Sequence, residues 1–550
     1  MSQKTKYFIG VPLLLACFLL ANGFFIDPRQ KIQKTISSND SSCLHLNMSR
    51  APLTLDSRKT CDHLSFTLEY MLFEGLMKPS ENGEITFGLA ESYEISEDCL
   101  TYIFHLRPSF WSDGEPVTAY DFERTWKEIL TPSFPSQSPN LLYAIEGALL
   151  AKKGELDIDS IGVMALDSLT LQVKLSHPTP YFLELTAFCA LFPTPEKMGT
   201  MIDEIVNTSP SSLISNGPYL LKDFKTASHY TLVKNPHYWD KNSISIETID
   251  ISLIDNDMTA YQLFKLGKLD MLGLSFSQIP RDAVFSLKEE GIIQVVPIGA
   301  TSLVQFNTLS SPFSNRNFRK AIAYAIDRNA LCTHITCLGE EIADGLVARF
   351  SNTSGKAPFF SYDPKLAKHH LKLALDELNL SKKDLQEIRF LYTPSDQSTR
   401  IVLAIASQLQ TTLGITLVPD AQEFRIFLSK LRMKDFECSL SAWIYQFDDP
   451  INILERFKTS KEATNDTGWS NPSYTEYLEL AESTMDFIRR EELLRAAESI
   501  FMEDLPQIPL YYWNFAYIKH PNIEGFQTTR IGIPLVNHIK KTTGTGGHSL

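Results

Sequence analysis

Cys332 and Cys337, with His334 between them, come nearest to a metal-ligand set in the sequence. Thiolate and imidazole are donors that zinc takes, but the second ligand pair that such a site needs is missing. The spacing predicts a local disulfide or two buried thiols instead. His369-His370 falls in a helical segment, and adjacent helical residues point to different sides, so the two rings do not make a joint metal site. No His-Glu-x-x-His, Gly-x-Ser-x-Gly or Gly-x4-Gly-Lys-Ser/Thr run is present. Those are the usual signatures of zinc hydrolases, serine hydrolases and phosphate-binding loops. Gly544-Thr545-Gly546-Gly547 is not a nucleotide loop, because no helix follows to offer its N-terminus to a phosphate. The residues therefore point to no catalytic group, no metal and no cofactor.

The 550 residues suffice for several domain-sized units. Hydrophobic residues make up 43% and charged residues 21%, which supports sizeable cores and excludes a disordered chain. A formal net charge of -14 argues against a nucleic-acid partner, which would need basic patches along the phosphates. Lys4 and Lys6 precede an apolar run over residues 7–26, the pattern of an export signal. Leu14-Leu15-Ala16-Cys17 resembles a bacterial lipobox, with Cys17 as the lipidated residue. Cleavage after Gly23 and an uncleaved anchor stay open beside it, since about 20 apolar residues can span a bilayer. Ser37 to Ser42 reads as a polar tether. Eight cysteines are too few for a disulfide scaffold.

The remaining chain alternates between two periods. Residues 100–106 and 169–175 alternate apolar and polar, as strands do. Residues 121–130 place Phe122, Trp126 and Ile129 on one helical face. Residues 318–331 predict a longer helix with a buried stripe of Ala321, Ile322, Ala325 and Ile326. Residues 401–413 and 491–502 are helical as well. Such a mixture predicts α/β lobes rather than a sandwich or a bundle. The Gly- and Thr-rich tail from 542 to 550 is expected to be disordered.

Several blocks stand out by length and order. Residues 89–122 run from Leu89-Ala90-Glu91-Ser92-Tyr93 through Trp111-Ser112-Asp113-Gly114 to Tyr120-Asp121-Phe122. This stretch closely resembles the signature of the family 5 extracellular solute-binding proteins, the peptide- and nickel-binding components of bacterial ABC importers. Phe73-Glu74-Gly75-Leu76 precedes it. Asn216-Gly217-Pro218-Tyr219 with Asn235-Pro236-His237-Tyr238-Trp239-Asp240 follows. Next come Phe306-Asn307-Thr308 with Pro312-Phe313 and Asp327-Arg328, then Pro509-Leu510-Tyr511-Tyr512 with Lys519 and Gly525-Phe526. The residues themselves read structurally: Ser112-Asp113-Gly114 is turn chemistry, and Trp111, Tyr238 and Trp239 are packing aromatics.

The resemblance implies a two-lobed α/β fold, the type II periplasmic-binding-protein fold, with an extra subdomain in the first lobe. On that reading residues 1–26 are the signal or lipoprotein segment and 27–42 the tether. The first lobe takes 43–76 and 201–299, with the accessory subdomain at 77–200. The second lobe is 300–510, and 511–550 returns to the first lobe and ends in the tail. The ligand, an oligopeptide, sits in the cleft between lobes and passes intact to membrane permease subunits. The implied state is an extracytoplasmic monomer, held to a membrane by lipid at Cys17 if that residue is modified.

In peptide-binding members, an Asp in the loop after a second-lobe Trp pairs with the peptide's α-amino group. Here the loop is Trp443-Ile444-Tyr445-Gln446-Phe447-Asp448-Asp449-Pro450, and the position falls on Gln446, a neutral amide. Asp448 takes the role if the loop shifts. Asp449 fits an N-cap, with Pro450 opening a short helix. By the same resemblance Trp443, Tyr445 and Phe447 line the loop, Cys61 and His63 lie on a first-lobe loop, Asn140 falls near a ligand-contacting aromatic, and Asn307 sits on the cleft strand. A disulfide known in the family would need cysteines at Ala300 and Ile444 and is absent. Two other classes compete. A hydrolase on the same scaffold would break its ligand, and a surface receptor or adhesin would bind without a permease. A modified or cell-wall peptide, or a nickel complex, remains an alternative ligand.

Overall fold

Alternating burial turns the strand patterns into a layered sheet. Thr101–Leu106 and Thr170–Lys174 bury every second residue and pair antiparallel, Phe104 opposite Leu171. They are the inner pair of a four-stranded sheet in the order Ala90–Ile95, Thr101–Leu106, Thr170–Lys174, Val163–Asp167. The helix Ala119–Leu130 packs on this sheet. A reciprocal cap between Thr118 and Asp121 starts it. Phe122, Trp126 and Ile129 are buried as their spacing predicts, and Trp126 Nε1 donates to Leu191 O at 2.9 Å.

The protein is described here from a computed structural model covering residues 41–542, apart from 81–83, 226–227, 349–359, 386 and 462–463. The leader with Cys17, most of the tether and the tail from 543 lie outside the described residues. Among the described residues no helix is long and apolar enough to cross a membrane.

A second four-stranded sheet runs Cys43–Met48, Thr248–Leu253, His229–Lys234, Tyr219–Lys225. A six-stranded mixed sheet runs Met271–Gly273, Gln507–Lys519, Gln294–Phe306, Cys438–Ile444, Ile388–Tyr392, Leu417–Ala421. Its two 13-residue strands, Gln294–Phe306 and Gln507–Lys519, pair antiparallel along their length. At one end they meet Met271–Gly273, and at the other Cys438–Ile444. Their register breaks between Pro297 and Thr301. The positions 299/300 and 510/511 fall inside these two strands.

The sequence blocks converge on one buried knot. Asn216 accepts from Glu74 N at 3.1 Å and donates to Glu74 O at 3.0 Å. The Glu74 carboxylate accepts from Tyr238 Oη and from Trp239 Nε1, each at 2.5 Å. A Cβ on Gly217 would lie 2.4 Å from the Leu72 carbonyl carbon, so only glycine lets these chains approach. Asp113 closes its own turn by accepting from Glu115 N and pairs with Lys197. These residues build the lobe and are committed to one another.

Two local expectations change. The helix over 318–331 is broken: Arg316–Ala325 ends at Ile326, which is extended, and Asp327 caps a new turn, Arg328–Leu331, by accepting from Ala330 N. A short acidic side chain that can bond the backbone ahead of it favours a cap over a helix interior. Cys332 and Cys337 are free thiols, and only Cys332 is buried. Between them lies a π-helical turn, Cys332–Thr336, and Cys337 follows at φ 62° with its Sγ on Thr333 O. They are neither a bridge nor a buried pair.

Candidate functional site

The loop after the strand Cys438–Ile444 packs against Ser138, Tyr181, Glu184 and Arg530. Phe447 stacks on Tyr181 with centroids 4.9 Å apart and planes 9° off parallel. Gln446 Nε2 donates to Ser138 Oγ at 3.3 Å, and the Asp448 backbone N–H donates to Glu184 Oε2 at 2.9 Å. The Asp448 carboxylate forms an ion pair with Arg530. Asp449 receives both terminal nitrogens of Arg490, at 2.7 and 2.9 Å, and accepts from Ile451 N at the start of Ile451–Leu454. The Arg490 guanidinium lies 5.4 Å from the Tyr181 ring. The cap falls one residue later than expected, on Pro450, whose side chain has no group to cap with; Asp449 accepts from Ile451 N just ahead of the helix, and its carboxylate anchors a buried arginine.

Burial, and then the charge of Asp449, push the Glu184 carboxyl up to about 7 against the pull of Arg530 and Arg490. At a second place the two sides also meet. The Arg50 guanidinium covers the Phe424 ring at 5.3 Å, Arg425 donates to Leu53 O at 3.4 Å, and Arg432 donates to Gln137 Oε1.

The structure sorts the candidate residues. Trp443 is half-buried; its Nε1 donates to Asn452 Oδ1 at 2.8 Å, and the Arg456 guanidinium lies 3.8 Å from its ring. Gln446, Phe447 and Asp448 meet the other side directly. Tyr445 does not: it is buried, and its hydroxyl accepts from Ala348 N at 2.7 Å. Asn307 is buried too, donating to Lys434 O and accepting from Leu309 N, so both ends of its amide brace a loop. Backbone groups of Ala348, Lys434 and Leu309 engage these side chains in this arrangement.

Cys61 is half-buried. Burial first, then neighbouring Asp62, push its thiol up to about 11, while Arg432 from the opposite side draws it down. His63 places Nε2 2.7 Å from Ile531 O, where it donates, and its ring meets the Phe515 ring edge-on. Burial lowers its pKa, so the ring is neutral, and Nδ1 faces inward without a partner. Asn140 is half-buried on the turn Pro139–Leu142, two residues from Ser138. Sequence reasoning missed Tyr181, Glu184, Arg490 and Arg530. No local pattern marks them, since their partners lie tens to hundreds of positions away.

The family model of the bacterial extracellular solute-binding proteins, family 5, matches residues 84–465. The chain is 34% identical over 494 residues to the oligopeptide-binding protein OppA of Bacillus subtilis, covering 89% of this chain and 90% of that one. A structure of the Escherichia coli murein tripeptide binding protein MppA superposes with a TM-score of 0.84 at 26% identity, covering 91% of this chain and 98% of that one. The unliganded open form of the same MppA gives only 0.67 at the same coverage. One protein in two forms has one fold, so the drop reflects how the lobes are set. The lobes here are set unlike those of that open form, in keeping with the contacts from Gln446, Phe447 and Asp448. The fold is the two-lobed type II α/β fold that the sequence blocks imply, and the chain belongs to the family 5 bacterial extracellular solute-binding proteins.

Proposed function

We propose that this protein is the extracytoplasmic solute-binding component of an ABC importer, taking a peptide between its lobes and delivering it, chemically unchanged, to a membrane permease. The observation that carries this reading is the closed contact of the Gln446–Asp448 segment on Ser138, Tyr181 and Glu184. The two long crossing strands serve as the hinge, with lobe boundaries at 299/300 and 510/511. A peptide backbone has many polar groups, and leaving one buried and unpaired costs about 1–3 kcal/mol. Closure from two sides lets the protein pair them while its side-chain pockets stay wet. The protein acts as a monomer and as a binder, not an enzyme.

Recognition of the ligand's amino end departs from the family pattern. Asp448 and Asp449 are occupied by Arg530 and Arg490. Gln446 can accept a hydrogen bond but gives no Coulomb attraction to an ammonium group. This favours ligands whose amine is modified or held elsewhere, cell-wall peptides among them, a reading supported by the likeness to the murein tripeptide binder. The test is mass spectrometry of the ligand that copurifies with protein made in a bacterium, followed by its recovery after prolonged incubation. An intact peptide supports the proposal. A cleaved one, or a molecule with no peptide bond, overturns it.

A further inference from the structure

We infer that Cys43, His45 and Asp250 form a binding site for a divalent cation of the zinc class on the outer face of the first-lobe sheet. Cys43–Met48 pairs in parallel with Thr248–Leu253, His45 opposite Asp250. Side chains alternate along a strand, so Leu44, Leu46, Ile249 and Ile251 enter the core and are at most 2% exposed. Cys43, His45 and Asp250 therefore share the other face. Cys43 Sγ lies 3.6 Å from His45 Nε2 and 3.8 Å from Asp250 Oδ2, and the three donor atoms are all within 4.8 Å of one another. Donors on a tetrahedral zinc at about 2.0–2.3 Å stand roughly 3.3–3.7 Å apart. A small movement of Asp250 brings all three to bonding distance.

A second, independent feature is the support behind each ligand. His45 Nδ1 lies 3.2 Å from Asp270 Oδ2. A proton held there by the carboxylate leaves the Nε2 lone pair aimed at Cys43, the usual orientation of an imidazole that binds metal. Asp270 is itself held by Lys541 Nζ at 3.0 Å, and Lys541 also donates to Cys43 O at 2.9 Å. Thr231 Oγ1 donates to Asp250 Oδ1 at 2.9 Å, which leaves Oδ2, the oxygen nearest the thiol, for the cation. In the absence of metal the Cys43 thiol donates to that oxygen. Binding breaks the S–H bond, forms an S–metal bond and releases one proton to solvent.

One thiolate and one carboxylate match a divalent charge, with a water as the fourth ligand. A sulfur and an imidazole among three donors select zinc, or cobalt as its stand-in, over magnesium and calcium, which take oxygen. The site is separate from the interlobe contacts. It sits where the strand begins, and the strand's far end, roughly 17 Å on at 3.3–3.4 Å per residue, leads into the segment that carries Cys61. Through Asp270 and Lys541 the cation would tie the first described strand to the returning chain.

The test uses the full, reduced, chelator-treated protein titrated with Co2+ and followed by absorbance. The expected result is one equivalent bound, with thiolate-to-cobalt charge transfer in the near ultraviolet and strong tetrahedral d–d bands, displaced by Zn2+. Cys43→Ser removes the charge-transfer band, and His45→Ala weakens binding. Asp270→Asn lowers affinity roughly 10–100-fold, as loss of an outer carboxylate does. The double variant Cys332→Ser with Cys337→Ser keeps the band. The wild-type spectrum alone is decisive if a variant misfolds: no thiolate band overturns the site. A band that survives Cys43→Ser, or that disappears with Cys332 and Cys337, overturns it equally.

Discussion

The backbone N–H of Asp448 donates to Glu184 Oε2 at 2.9 Å across the line where the two sides of the molecule meet. The carboxyl that receives it is crowded by Asp449 and flanked by Arg530 and Arg490. An opening that exposes Glu184 to water relieves both its burial and the repulsion. This makes one hydrogen bond a gauge of closure.

Closure should therefore weaken as pH rises through the range set by that group. Glu184 titrates near 7 in the closed form and near its ordinary value of 4.5 when solvated. Between those values the closed form holds more protons, so raising the pH favours the open form across the window and has no further effect above it. Small-angle scattering of the ligand-free protein from pH 4.5 to 8 should show the radius of gyration growing with pH. Glu184→Gln should flatten the profile, and an unchanged profile in that variant rules Glu184 out as the cause.

Restoring an acid at 446 should select for free amines. Gln446→Asp replaces a neutral acceptor with a charged one, and a charge-assisted hydrogen bond is worth roughly 1.5–3 kcal/mol against about 0.5–1.5 kcal/mol for a neutral one. Affinity for peptides with a free N-terminus should rise about tenfold or more, and affinity for N-acetylated forms should change much less. Calorimetry on matched peptide pairs measures this. An equal response from both forms means that residue 446 does not meet that terminus.

Breaking the Asp449–Arg490 pair should be costly. Both side chains are largely buried, and the bonds are bidentate. Asp449→Ala strands a buried guanidinium, which typically costs about 3–5 kcal/mol. It also removes a support of the loop that carries Gln446. Urea unfolding should show the loss, with Asp449→Asn retaining part of the stability through its remaining hydrogen bonds.

The Glu74 knot should respond in a graded way. Glu74→Leu leaves Tyr238 Oη and Trp239 Nε1 without their acceptor, at about 1–3 kcal/mol for each buried donor. Glu74→Gln keeps one acceptor and should cost less. Thermal unfolding should rank the wild type above Gln and Gln above Leu. Equal stability in all three would mean that water replaces the carboxylate.

The sequence alone determined what depends on neighbours along the chain. The stripe of Phe122, Trp126 and Ile129, the alternation at 101–106 and the Asp113 turn follow from periods and side-chain reach of a few residues. The blocks around Glu74, Asn216 and Tyr238 identified the family because their atoms must interlock, which leaves their types little freedom. It overreached at Asp327, where an apolar stripe continued through a residue that prefers to cap, and it could not name the distant backbone groups that engage Tyr445 and Asn307.

What only the tertiary structure decided is who faces whom. Gln446 and Ser138 are 308 positions apart, and His45 and Asp270 are 225 apart. Local periodicity says which side of an element is buried but not which distant element covers it. The charge states of Glu184 and His63 follow from that covering and from nothing nearby in the chain. The partners of Asp448 and Asp449, and with them the role left to Gln446, were set by lobe packing, because Coulomb and hydrogen-bond energies depend on distance in space and not on separation in sequence.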